Sequence, residues 1–302
     1  MSDVFEIDSV EQCARMMGAE GVNHPLIHVV DMHCTQIPPE FLGARLRFNL
    51  YCVVMKKDAN GQMRYGRNQY DFSCGVLTAF APGQVIEIED TYNCGDVDGW
   101  GLIFHPDILL RHPLKESIGE YGFFSYGLNE ALHLSEREQQ VLKQLVSEID
   151  RETQQNLDSF SLDILLANIG LLLTYTDRYF NRQFLTRRPL VLESVERFNA
   201  LVDSHFARAE QEELGLPSVA ELATQMNMSA SYLSDLLRRE TGSSAMELIH
   251  ARLIEKAKYL LLNSDANVST IAYQLGFEYP QYFSRIFKKK TSMSPQAFRQ
   301  AY

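Results

Sequence analysis

The last third of the chain carries one helical pattern twice, and no other feature constrains the fold as strongly. Val219, Leu222, Ala223 and Met226 recur 49 residues later as Val268, Ile271, Ala272 and Leu275. Each set leads through a short break into a second run, with Leu233, Leu236 and Leu237 in the first copy and Phe283, Ile286 and Phe287 in the second. Apolar residues at i, i+3 and i+4 mark one face of a helix, so helix, tight turn and helix are expected twice. The copies differ in length, because Ala223 and Leu233 are ten positions apart and Ala272 and Phe283 eleven. A connecting helix is expected over roughly 245–262, and the small Ala223 and Ala272 are expected where helices cross closely.

In a helix-turn-helix unit the second helix can enter the major groove of DNA with its polar outer face toward the bases. The candidate DNA-binding residues are therefore Ser231, Tyr232, Ser234, Asp235, Arg238 and Arg239 in the first copy, and Tyr279, Gln281, Tyr282, Arg285, Lys288 and Lys289 in the second. Ser231, Ser234 and Asp235 can face base edges, the carboxylate accepting from a cytosine amino group, while Gln281 suits adenine and Arg285 suits guanine. Arg238, Arg239 and the run Lys288-Lys289-Lys290 are expected beside phosphates, which supply much of the affinity. Two such helices on one face of a duplex would lie about one turn, ~10 bp, apart.

Several of these residues form a recognisable set: Arg252, Ala257, Leu260 and Leu261 on the connecting helix, then Ile271-Ala272, Gly276-Phe277, the run from Tyr282 to Lys289, Ser294-Pro295 and Phe298-Arg299. They resemble the DNA-binding domain of AraC-type (AraC/XylS) transcription regulators over roughly residues 195–302. The resemblance implies a sequence-specific regulator whose partner is double-stranded DNA, with RNA polymerase as a further partner if it activates. Where members of that family often carry a base-reading basic residue, this chain has Asp235.

A net charge of −11 opposes DNA binding only when it is taken over the whole chain. Residues 218–302 hold five lysines and five arginines against seven carboxylates, a surplus of +3, and residues 1–217 hold 18 cations and 32 carboxylates, a balance of −14. The cations are concentrated where the helical repeat is.

Residues 1–133 read as short strands and turns. From Arg45 to Met55 the residues alternate as along a single strand, with Leu46, Phe48, Leu50, Cys52 and Val54 on one face and Arg45, Arg47, Asn49 and Tyr51 on the other. Asp58-Ala59-Asn60-Gly61 reads as a hairpin turn, and further strands are expected at 70–72, 75–80, 85–89 and 100–104. Many short strands at close spacing fit a sandwich or a small barrel. Ala81-Pro82-Gly83-Gln84 and the run from Gly99 to Pro106 resemble the cupin-like sensor half of AraC-type regulators, which implies a cupin-like β-barrel and a small-molecule effector.

Ser135-Glu136-Arg137-Glu138 is a capping box opening a helix striped by Leu142, Leu145, Val146 and Ile149, and a second helix from about Ser161 carries Leu162, Leu165, Leu166, Ile169, Leu172 and Leu173. The pair is expected to form an antiparallel hairpin. Its apolar stripes either cover the strands or leave a surface for a second subunit; the resemblance to the family implies a homodimer. The fold class is thus α+β, with a ligand-sensing domain at 1–133, a helical hairpin for dimerisation at 134–186 and an all-α DNA-binding domain at 187–302. The linker is expected at Thr186-Arg187-Arg188-Pro189, a helix from about Leu192, and an acidic loop at 210–215.

Arg47, Tyr51, Phe80 and Trp100 combine a cation, a phenol and apolar rings, as small-ligand sites do, and are the candidate effector-binding residues. The alternative is that Phe80 and Trp100 are core and Arg47 is solvated. No metal, cofactor or catalytic set is expected: His24, His28, His33, His105, His112 and His133 lack the close H-x-H spacing of cupin enzymes, and neither a Ser-His-Asp context nor a glycine-rich phosphate loop occurs. The five cysteines, Cys13, Cys34, Cys52, Cys74 and Cys94, form no C-x-x-C pair and are expected as reduced, packed thiols. With no long uncharged apolar run and no basic-then-apolar start, a cytoplasmic location is expected. Three readings stand: a dimeric effector-responsive DNA-binding regulator, a regulator with no small ligand under a protein partner, and a cupin-type enzyme fused to a DNA-binding domain.

Overall fold

The computed structural model describes residues 4–19, 21–35, 37–58, 64–65, 68–69, 75–87, 97–127, 130–156, 158–186, 188–212 and 214–301. The chain divides into two compact units, Met1–Thr186 and Arg187–Tyr302.

In the first unit, β1 (Val4–Ile7) and α1 (Val10–Met16) precede β2 (Ile27–Asp31), β3 (Arg45–Phe48), β4 (Tyr51–Asp58), β5 (Arg64–Tyr65), β6 (Asn68–Gln69), β7 (Val76–Phe80), β8 (Gln84–Glu87) and β9 (Val97–Phe104). Short 3₁₀ turns and α2 (Leu114–Ser117) lead to β10 (Leu132–His133), α3 (Glu136–Thr153) and α4 (Ser161–Thr186). Pairing gives a three-stranded sheet β1-β3-β8, a five-stranded sheet β10-β7-β4-β9-β2 and a ribbon β5-β6. The expected closed barrel does not form among the described residues, because no strand pairs from one sheet to the next. Leu46 and Phe48 of the smaller sheet instead share one core with Val30, Cys52 and Ile103 of the larger, the arrangement of two sheets facing each other.

The stretch from Arg45 to Met55, expected as one strand, is two. Asn49 N donates to Ile7 O at 2.9 Å and Gly83 N to Phe48 O at 2.7 Å, which anchors the end of β3 in the smaller sheet, and the chain then crosses to the larger one. There β4 is the central strand of five, covered on both faces, so Val53 is buried beside Cys52 and the alternation stops. The strand expected at 70–72, positions 59–61 of the expected turn, residues 88–89, Cys74 and Cys94 lie outside the described residues.

The Ser135–Glu138 capping box is present, with Ser135 N donating to Glu138 Oε2 at 2.8 Å. α3 and α4 pack together through Leu142, Val146 and Ile149 on one side and Leu165, Ile169, Leu172 and Leu173 on the other. The end of α4 also covers the outer edge of the larger sheet. His133 N donates to Gln183 Oε1 at 2.8 Å, and Gln183 Nε2 donates to Ala131 O at 3.1 Å, so edge groups that would otherwise invite another strand are satisfied.

The second unit is all helical: α5 (Arg188–Glu212), α6 (Val219–Gln225), α7 (Ala230–Thr241), α8 (Ala245–Asn263), α9 (Val268–Gln274), α10 (Pro280–Thr291) and α11 (Pro295–Ala301). α5 begins at Arg188, ahead of the expected start near Leu192, because Pro189 falls in the first turn, where an N–H would have no helical acceptor. It runs on to Glu212, so much of the expected acidic loop is helix. α8 packs against α5, α7, α9, α10 and α11, burying Ala245, Ile249, Leu253, Ile254, Ala257 and Leu261. At about 1.5–3 kcal/mol for each large apolar side chain taken out of water, this helix is the core of the unit.

Candidate nucleic-acid interface

Both helix-turn-helix copies are built from the same local parts. Ser218 caps α6 and Asn267 caps α9, each side chain accepting from the backbone N–H three residues on. At the far ends, Ala223 O accepts from Met228 N at 2.9 Å and Ala272 O from Phe277 N at 3.0 Å. A left-handed residue opens each turn, Asn227 at φ 56° and Gly276 at φ 83°. The glycine is required for a second reason, since a Cβ there would lie 2.7 Å from Leu214 O.

The turns then part. Residues 226–229 connect α6 to α7 and residues 275–279 connect α9 to α10, so the extra residue of the second copy lies between Phe277 and α10. Ser229 caps α7 by accepting from Tyr232 N at 3.1 Å, whereas α10 starts at Pro280 with no side-chain cap. Beyond α7 and α10 the likeness resumes, with Gly242 and Ser292 both left-handed at φ 71° and 62°. Thr241 Oγ1 and Thr291 Oγ1 donate to Leu237 O and Phe287 O at 2.7 and 2.8 Å. The repeat therefore reaches the starts of α8 and α11.

The inward row of each second helix is buried: Leu233, Leu236 and Leu237 on α7, and Phe283, Ile286 and Phe287 on α10. On the outer row of α10, Tyr279, Gln281, Tyr282, Arg285, Lys288 and Lys289 are exposed. On α7, Arg238 is exposed, while Ser231, Tyr232, Ser234, Asp235 and Arg239 are half-buried. Ser234 Oγ donates to Ala230 O at 2.7 Å, which leaves it an acceptor for any outside partner. Burial lowers the His250 imidazole pKa, and Lys290 and Lys289 lower it further against Glu247, so α8 lies in the field of the basic end of α10.

Other cations of this unit serve the fold. Arg197 donates to Gln225 O at the end of α6 at 3.0 Å, and Lys256 to Phe206 O at 2.8 Å. Arg299 donates to Leu261 O at 2.9 Å and Ala266 O at 2.7 Å. Their types and positions in the sequence do not distinguish these cations from phosphate contacts; only the folded backbone brings the acceptor carbonyls to them.

A family model described as a helix-turn-helix domain matches residues 222–301. The HTH-type transcriptional activator RhaS of Escherichia coli (strain SMS-3-5 / SECEC) is 28% identical over 217 residues, covering 66% of this chain and 72% of that protein. The carboxyl-terminal unit is a DNA-binding domain of the kind found in AraC-type transcription regulators. Among solved structures, the C-terminal domain of AraT, a response regulator from Geobacillus stearothermophilus, is 29% identical over 36% of this chain and 85% of that one, with a TM-score of 0.33.

In this AraC-type regulator the four candidate effector residues are not brought together. Arg47 is on the smaller sheet and its guanidinium pairs with Glu6 at 2.8 Å. Phe80 is opposite Cys52 on the larger sheet and packs against the inter-sheet core. Residues directly opposite on paired strands share a face. Tyr51 and Trp100, opposite Phe104 and Met55, are therefore on the other face of that sheet. Tyr51 stacks on Phe104 at 5.1 Å, and Trp100 is buried with its Nε1 unpartnered. A shallow cleft with room for about one water molecule, open to solvent, is lined by Phe80, Phe123, Tyr126, Glu130 and Phe180 among others; of the four candidates only Phe80 touches it.

Cys13 and Cys52 of the regulator are free thiols packed in the inter-sheet core. Burial pushes the Cys13 thiol up to about 12 and raises Cys52 as well, so neither is a nucleophile or a thiolate ligand at neutral pH. Among the described residues no group of three or more His, Cys, Asp or Glu could hold a metal ion, and no helix is long and apolar enough to cross a membrane.

Proposed function

We propose that this AraC-type transcription regulator reads its operator with the outer faces of α7 and α10, Arg285 and Gln281 supplying base discrimination and Arg238, Lys288 and Lys289 the phosphate contacts. The observation that carries this is the division of α10 into a buried row, Phe283, Ile286 and Phe287, and an exposed row, Gln281, Tyr282, Arg285, Lys288 and Lys289. Sites selected from random duplexes by the full chain should lose affinity steeply as salt rises, with a slope of about 0.9 per phosphate neutralised. Arg285→Ala should abolish discrimination at a guanine. Binding indifferent to salt would overturn the proposal.

The regulator acts as a homodimer in the cytoplasm. Support comes from α4 and the residue before it, where Phe160, Ile164 and Leu171 are 67%, 43% and 46% exposed along one helical stripe. An unpartnered apolar stripe of this kind suits a two-fold interface. Leu171→Asp should halve the mass seen by sedimentation; a wild-type chain already monomeric at micromolar concentration would remove the dimer.

A small effector is the first reading of the amino-terminal unit, with RNA polymerase as the partner of an activated complex. Regulation without a small ligand is favoured by two placements, the Arg47–Glu6 ion pair and the burial of Trp100, which take two candidate contacts out of any common pocket. Thermal-shift screening against sugars, aromatic acids and fatty acids separates the two, since a ligand of the folded state raises the melting temperature by mass action.

A further inference from the structure

Tyr282 and Arg285 are three residues apart on α10, and the guanidinium carbon of Arg285 lies 5.2 Å from the centroid of the Tyr282 ring. That ring is itself held. Phe277 meets it edge-on at 5.8 Å with the planes 70° apart, and Phe277 in turn packs on buried Phe283 at 5.4 Å. An unbroken line of ring contacts therefore runs from the core of the second copy to the charge on its surface.

We propose that Tyr282 is a positioning residue for Arg285: it holds the guanidinium so that the fork of N–H donors is already ordered for a guanine edge, and it does not itself read a base. The proposal rests on the assignment of Arg285 as the guanine contact made above. A solvated arginine must give up rotamer freedom to dock its planar fork, and one laid on a ring gives up less. The ring face is the negative part of an aromatic quadrupole, so it attracts a guanidinium and offers nothing to a carboxylate. The first copy is the internal contrast. Tyr232 and Asp235 occupy the places of Tyr282 and Arg285, 50 positions earlier, and there the residue three along is an anion that a ring face cannot hold.

The test uses the full chain and its variants Arg285→Ala, Tyr282→Leu and Tyr282→Phe, each checked for an unchanged melting temperature. A duplex selected by the wild-type chain from a random pool is compared with copies in which each guanine in turn is replaced by 7-deazaguanine, which lacks the N7 acceptor. Arg285→Ala should erase the preference for one guanine. Tyr282→Leu should weaken that same preference by about two- to five-fold, and Tyr282→Phe should retain it. Full retention of the preference by Tyr282→Leu overturns the positioning role and leaves base reading by Arg285 intact. Loss in Tyr282→Phe equal to that in Tyr282→Leu also overturns it, because the hydroxyl and not the ring face would then be responsible. An unaltered preference in Arg285→Ala overturns the assignment on which the proposal stands.

Discussion

The two helix-turn-helix copies are alike where they face the protein and unlike where they face outward. Inward, Ala223 and Ala272, Leu222 and Ile271, and Leu237 and Phe287 occupy matching buried places, and the left-handed turn residues Asn227 and Gly276 coincide. Outward, Asp235 stands where Arg285 does, Ser231 where Gln281 does, and Arg238-Arg239 where Lys288-Lys289 do. Packing against α8 limits the inward set to shapes that fill the same spaces, while the outer face has no such limit and can specialise. The second copy carries both the exposed basic row and the guanidinium over the Tyr282 ring, which under the proposed reading makes it the stronger contact with DNA.

The contrast can be broken first through the core. Phe283→Ala should cost about 3–5 kcal/mol and Leu233→Ala about 2–5 kcal/mol, since both side chains are fully buried. Urea unfolding of each variant measures this; equal and small losses would mean that the second copy is not packed as tightly as its rings indicate. Next, Gly276→Ala should cost about 2 kcal/mol or more, from the positive φ together with the approach to Leu214 O. Asn227→Gly, at the matching place, should change stability by only a few tenths of a kcal/mol.

A third comparison concerns sign. Asp235→Ala should raise affinity for any duplex by removing an anion from the outer face of α7, whereas Arg285→Ala should lower it; fluorescence anisotropy at fixed salt reads both. If both substitutions weaken binding, Asp235 is a base contact after all.

The smallest effect comes from the caps. Hydrogen bonds from Ser218 hold the Glu221 carboxyl below its ordinary range, and Ser244 does the same for Glu247. A depressed folded pKa contributes stability at neutral pH that is lost as pH falls through it. α9 is capped by Asn267, which does not titrate there. Hydrogen exchange should therefore show the first turn of α6 loosening on acidification before that of α9.

The carboxyl-terminal unit was legible because its helices announce themselves by spacing, caps and small crossing residues, all of which are local. α8 was expected over 245–262 and spans Ala245–Asn263. Features that depend on distant chain were not legible. Nothing local distinguishes the break at Asn49 from a continuing strand, because the bonds that make it come from Ile7 and Gly83. Arg47, Tyr51, Phe80 and Trp100 have the chemistry of a pocket but are separated by sheet pairing. In the same way, the carbonyls that hold Arg197, Lys256 and Arg299 come from distant chain, and no local pattern marks these cations as structural.

Because α7 and α10 both rest on α8, neither reader has a fate of its own. A lesion in the shared helix should silence both at once, and a duplex that steadies one should pre-order the other. Operators offering only half of the cognate sequence would then be bound far more weakly than a sum of separate halves implies.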